Sequence, residues 1–289
     1  MLRAVVLFLL IFSEVAMAKD VVVYPWTGDS NAKFEQHFVG LLDLALRKTN
    51  ETYGTYEIRR LDFIFNQGRV IEFLKYNNKL SVAWTVTNIE REIDLLPIRI
   101  PLMKGLGGCR VGLIRKNEQI LFDEMSSHTL LKSVPIGQGH DWPDAEVLIA
   151  NNYKVVLGHI HTGLFSMLAH KRFDLFLRSI FEAVHEVTMY PDLEIEKRFI
   201  FYYPAPFYFF VSRENKRLAN RLLAGFHIAK KDGSLAKYYE NSELIGAAKK
   251  ELEKSKREFV LLNNPNISQE TKAVMANEEY QLCREFTKV

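Results

Sequence analysis

Cysteine is nearly absent: Cys109 and Cys283 are the only two in 289 residues. Two thiols exclude a disulfide framework. They leave one bridge in an oxidising compartment, or two buried free thiols, and separation in sequence does not choose between them. One-sided charge is also lacking. The net charge is +3 and no run of Lys and Arg is free of acidic residues, so nucleic-acid binding has little support. Lys249 to Glu258 mixes both signs at helical spacing and reads as a solvated helix face. The catalytic signatures G-x-S-x-G, H-E-x-x-H and the P-loop are missing. His159 and His161 would share one face of an extended segment, but without a third ligand they read as a loop or core pair. Asp141 and Asp144 read as helix-start charges rather than an acid/base pair. No metal and no cofactor are expected.

Long apolar runs are lacking as well. The one candidate, Ala4 to Phe12, is too short to span a bilayer. Arg3 precedes it, and Ala16-Met17-Ala18 supplies a small-x-small site after it. That order reads as a cleavable export signal covering residues 1–18, with a mature chain from Lys19 that is soluble in the periplasm. A buried first strand or an uncleaved anchor is the alternative. No cysteine follows the run, so no lipid-modified N-terminus is indicated.

What is present is an alternation of short β-type runs with amphipathic stretches. Asp20 to Tyr24, Tyr56 to Leu61 and Leu80 to Trp84 read as strands. Between them, Asp29 and Ser30 can cap a helix carrying Phe34, Phe38, Leu41, Leu42 and Ala45 at helical spacing, and Gln67 to Tyr76 reads as another helix. The segment from Pro97 to Gly108 is rich in proline and glycine and interrupts the pattern. It resumes with strands at Arg110 to Arg115, Val134 to Gly137, Lys154 to Leu157 and Leu175 to Leu177. Helices at Pro143 to Asn151, Thr162 to Ala169 and Ser179 to Val187 alternate with these. A second Pro-marked crossing occupies residues 201–211, and a helix with an apolar stripe follows from Lys216 to Lys231. Such alternation implies an α/β fold. Two extended crossings are what a chain needs to leave one lobe, build a second and return. The expected lobes are residues 19–104 with 207–289, and residues 105–206, joined by a two-strand hinge. One continuous doubly wound sheet is the alternative.

Four segments carry a resemblance: N88-I-E-R91, VPIGQGHDWPDAEVL at 134–148, MLAHKRFDLFLR at 167–178, and the return from YFFVSRENKR to the last short helix. In order and spacing they are similar to the periplasmic solute-binding proteins for amino acids and related polar solutes, family 3, with type II periplasmic-binding topology. The resemblance implies a polar solute held between two lobes. It implies that Arg91 grips a ligand carboxylate, a role that suits a bidentate guanidinium; a surface Arg91 paired with Glu90 or Glu92 is the alternative. Where the family places an acidic residue for the ligand ammonium, this chain has Arg178. A cation there would repel an ammonium and points to an acidic solute, unless Arg178 pairs with a neighbouring carboxylate such as Glu182. Strand ends in such a fold face the cleft. They add Tyr24, Trp26, Trp84 and Trp142 as aromatic walls, and Gln138 and His140 in a Gly-rich turn as hydrogen-bonding groups. The expected partners are a small-molecule solute and either a membrane transporter or a membrane sensor protein, with the chain a monomer. A dehydratase-like enzyme using His140 or Glu182 is a third reading.

Overall fold

The computed structural model describes residues 19–26, 32–64, 66–76 and 79–286. The export signal and the Asp29/Ser30 cap lie outside the described residues. The first part of the chain runs β1 (Asp20–Trp26), α1 (Ala32–Arg47), α2 (Asn50–Tyr53), β2 (Tyr56–Ile64), α3 (Gln67–Lys75), β3 (Ala83–Val86), α4 (Ile89–Asp94) and β4 (Leu95–Ile98). The middle part runs β5 (Cys109–Arg115), α5 (Gln119–Asp123), β6 (Ile136–Gly139), α6 (Pro143–Ala150), β7 (Val155–Gly158), α7 (His161–Ala169), β8 (Leu175–Ser179), α8 (Ile180–Met189), β9 (Leu193–Ile195) and β10 (Phe199–Tyr202). The last part adds β11 (Phe207–Ser212), α9 (Lys216–Lys231), α10 (Ser234–Glu240), α11 (Glu243–Glu253), β12 (Glu258–Leu261) and α12 (Gln269–Met275).

These elements build two α/β lobes. In the first, β1 and β2 pair in parallel, and β11 lies antiparallel between β3 and β4. The Val23 carbonyl accepts from Ser81 and Val82, joining the two small sheets edge to edge. β11 is buried at every position, as its unbroken apolar sequence requires of a central strand. The stripe of Phe34, Phe38, Leu41, Leu42 and Ala45 on α1 is buried, and so are Leu218, Leu222, Phe226 and Ala229 on α9. The two helices cross closely at Gly225, where a methyl group would sit 2.0 Å from the Ala45 carbonyl oxygen. Arg221, fully buried beside this contact, ties α9 to the start of β1 through Asp20 at 2.5 Å and to the Gly54 carbonyl at 2.7 Å. In the second lobe the strand order is β12-β10-β5-β8-β6-β7, with β9 also on β5.

The lobes are joined at residues 99–108 and 203–206, and these crossings touch backbone to backbone. A methyl group on Gly107 would lie 2.4 Å from the Ala205 carbonyl oxygen, and one on Gly108 2.0 Å from that of Tyr203. The C-terminal stretch departs from the sequence expectation that residues 207–289 return wholly to the first lobe. β12 pairs in parallel with β10 and extends the second sheet, because Phe199 to Tyr202 leaves an open edge that a β-type run can complete. Beyond β12 the chain crosses back. Asn264 donates to the Pro204 carbonyl at 2.8 Å, and the buried Glu92 carboxylate accepts from Ser268 and Thr271 at 2.7 Å each. Cys283 then bonds Cys109, at the first residue of β5. The mixed-charge helix also ends sooner than expected, at Glu253, and Glu258 opens β12.

The bridge closes a loop of 174 residues. Cys109→Ser with Cys283→Ser should therefore lower the unfolding free energy by about 2–5 kcal/mol. Urea unfolding of the oxidised protein and of the double variant checks this.

Candidate functional site

A cavity of about 160 Å³ lies between the lobes. The first lobe contributes Gln67 from the start of α3, Phe34 from α1, and Trp84 and Thr85 from β3. The second contributes Arg110 from β5, Asp141, Trp142 and Asp144 around the start of α6, and Arg178 and Glu182 at the β8–α8 junction.

Two tryptophans form opposing walls. Trp84 stacks on Phe38 with centroids 5.2 Å apart and planes 8° off parallel, and Tyr24 supports it at 5.4 Å. Trp142 stacks on Phe176 at 6.2 Å and 13°. The Arg178 guanidinium lies 4.7 Å above the Trp142 ring, an arrangement in which the ring face attracts the cation.

The floor of the second lobe is a buried ionic cluster. β8 passes directly into α8 through Ser179 and Glu182, which cap the helix reciprocally: the Glu182 carboxylate accepts from the Ser179 N–H at 3.1 Å. Glu186 lies one turn further on, so both carboxylates face the residue before the cap. That residue is Arg178. Its Nε donates to both Glu186 oxygens at 2.9 Å, its Nη2 reaches Glu186 Oε1 at 2.7 Å, and Glu182 lies at 3.2 Å. Arg110 donates to the Ser179 hydroxyl at 2.6 Å and meets Asp144 at 2.6 Å and Glu182 at 3.7 Å. Tyr203, in the second crossing, donates its hydroxyl to Asp144. Three carboxylates thus share two guanidiniums, with His161 beside Glu186 at 3.5 Å. Burial by itself would raise the Glu186 carboxyl, but the charge of Arg178 and hydrogen bonds from His161 and Arg178 hold it down at about 2. Burial raises the Glu182 carboxyl, and the neighbouring Glu186 adds to the rise against the pull of Arg178 and Arg110.

Of the residues expected from sequence, Trp84, Trp142 and Arg178 line the cavity. Arg178 is paired, as the alternative reading required. Arg91 is buried just behind the cavity wall and pairs with neither Glu90 nor Glu92 by hydrogen bond. It donates to the Thr85 hydroxyl and Val86 carbonyl at 2.7 Å, to Gln67 Oε1 at 2.7 Å, and across the cleft to the Asp141 carbonyl at 3.2 Å. Burial lowers its guanidinium to about 10. Tyr24 lies one layer out, donating to Glu35 at 2.7 Å. Trp26 sits outside the cavity under the Arg60 guanidinium. β6 ends two residues later than expected, at Gly139, so Gln138 falls inside the strand rather than in the turn and is buried with its amide donating to the Leu177 carbonyl at 3.0 Å. His140 is exposed at the rim, its ring 4.3 Å from that of His159. Arg110, Asp144 and Gln67 are cavity residues that sequence reasoning did not place there. The spacing of Glu182 and Glu186 held a usable signal, since carboxylates at i and i+4 share one helix face and here lie over the residue before the cap. Among the described residues, no group of three His, Cys, Asp or Glu could hold a metal ion.

No family profile and no curated protein matches the sequence. Solved structures do. A periplasmic binding protein of Salmonella typhimurium with high arginine specificity superimposes with a TM-score of 0.58 at 13% identity, over 77% of this chain and 99% of its own. The chain has the two-lobed periplasmic-binding-protein fold. The periplasmic VFT2 domain of Bordetella pertussis BvgS superimposes at 0.56, with 16% identity over 78% and 93% of the two chains. A substrate-binding protein of an amino acid ABC transporter gives 0.54, with 15% identity over 78% and 99%. In this fold the cavity described above is an inter-lobe cleft.

The ionic cluster has a measurable signature. Glu186 titrates near 4.5 when unfolded and at about 2 when folded. Its contribution to stability is therefore fully present above about pH 4.5 and is lost as pH falls toward 2. Glu186→Gln should lose about 3–5 kcal/mol at neutral pH by leaving Arg178 under-paired, and its stability should fall less between pH 5 and 2.5 than that of the parent. Denaturant unfolding across that range is the check.

Proposed function

We propose that this chain is an exported solute-binding protein that closes its two lobes on a small polar solute carrying a cationic group. The observation that carries the reading is the cleft floor, where three carboxylates are served by two guanidiniums. A solute ammonium or guanidinium near Glu182 and Asp144 would complete the charge balance in a setting where an unpaired charge is costly. The acidic solute suggested by Arg178 loses its premise, because Glu186 and Glu182 already neutralise that guanidinium. The facing tryptophans suit a solute with apolar faces or a delocalised cation. The arginine specificity of one structural neighbour accords with this class.

Location in the periplasm is supported by the Ala4–Ala18 export pattern and by the Cys109–Cys283 bridge, which requires an oxidising compartment. No helix among the described residues is long and apolar enough to cross a membrane. Hand-over to a membrane transporter is the favoured role, since one neighbour is the binding component of an amino acid ABC transporter. The neighbours are binding proteins, which favours capture over turnover and leaves Glu182 a binding group.

The test is a thermal-shift screen of the mature chain against amines, guanidines, amino acids, carboxylates and sugars. A solute at a hundred times its dissociation constant stabilises by about 2.7 kcal/mol. Cationic compounds should give the largest shifts, and Glu182→Gln should weaken them at least tenfold. Stabilisation by dicarboxylates or sugar acids alone would overturn the assignment.

A further inference from the structure

The first lobe presents two positive features to the cleft, and one residue of the second lobe covers both. The N-terminus of α3 lines the cavity at Asn66 and Gln67, and its partial positive charge favours an anion. Asn66 satisfies the Arg69 N–H at 2.9 Å from within the first lobe. The Gly68 N–H is instead satisfied from across the cleft, by Asp141 Oδ2 at 2.9 Å. Arg91 is the second feature. Its Nη2 bridges Gln67, the first residue of α3, and the Asp141 carbonyl. A helix N-terminus backed by a buried guanidinium is a receptor for a carboxylate.

We propose that Asp141 is a built-in occupant of this receptor and so determines specificity: it latches the lobes without solute and turns the cleft against solute carboxylates. The solute half of this statement rests on the binding role proposed above, whereas the latch does not. Asp141 is well placed for both tasks. It follows the Gly139-His140 turn at the end of β6 and directly precedes Trp142, whose ring is fixed beneath Arg178, so its backbone is held while its carboxylate reaches the other lobe. Its second oxygen lies 3.8 Å from His140 Nδ1, at the rim. A carboxylate-bearing solute must displace Asp141 from the α3 N–H before using that wall. A solute with only a cationic group need not.

Asp141→Ala and the near-isosteric Asp141→Asn test this with two readouts. Small-angle scattering of the solute-free protein reports the latch. Asp141→Ala should increase the radius of gyration relative to the parent, with Asp141→Asn between the two, because the amide still accepts the Gly68 N–H but without charge. Calorimetric titration with L-arginine and with agmatine, which differ by one carboxylate, reports specificity. Asp141→Ala should shift the affinity ratio toward arginine at least tenfold. An unchanged radius in Asp141→Ala overturns the latch, and an unchanged ratio overturns the specificity role. If neither probe binds any variant, the proposed solute class fails, and scattering alone still decides the latch.

Discussion

A guanidinium taken out of water has to be met by carboxylates, and in this protein that requirement shapes the second lobe around Arg178. Its pairing with Glu186 and Glu182 fixes the β8–α8 junction, holds the Trp142 ring beneath the cation and sets the electrostatic character of the cleft floor. Breaking such a pair costs more than its formation gains, because the remaining charge has no water to fall back on. The same logic extends through Ser179 and Arg110 to Asp144 and then to Tyr203 in the crossing between lobes. The floor of the cleft and the joint of the molecule are therefore one polar network.

The joint itself is more elaborate than two strands. Glycines 107 and 108 let the crossings pack backbone against backbone, and the C-terminal tail passes over both. Gly105, in a left-handed conformation, admits the Tyr280 carbonyl where no Cβ would fit. Glu92, adjacent to Arg91 in sequence, anchors that tail through Ser268 and Thr271 and pairs with Arg99 at the start of the first crossing. The disulfide then fixes the tail to the first residue of the second lobe's central strand. Solute capture by lobe closure would have to work within these ties.

Much of the fold was legible in the sequence. The apolar stripes on α1 and α9 appeared at helical spacing, and the two proline- and glycine-marked crossings fell where the chain changes lobes. Local periodicity suffices for such features, because each element must bury one face whatever lies opposite. The strand ends were less legible. β3 and β6 sit two to three residues beyond their expected starts, and that shift moved Gln138 from a turn into the sheet. β12 was missed because a four-residue strand at a sheet edge has little periodicity to reveal it.

The sequence by itself determined the α/β class and the residue types available to a polar site. Only the tertiary structure decided which charges neutralise one another. Sequence left Arg178 open between a ligand cation and a pair with Glu182 until α8 brought both Glu182 and Glu186 against it, and left Arg91 open between a ligand arginine and a surface pair until the opposite lobe laid Asp141 on its neighbours. Charge at a site is a sum over groups close in space, and a chain that crosses repeatedly between lobes gathers those groups from positions far apart in sequence.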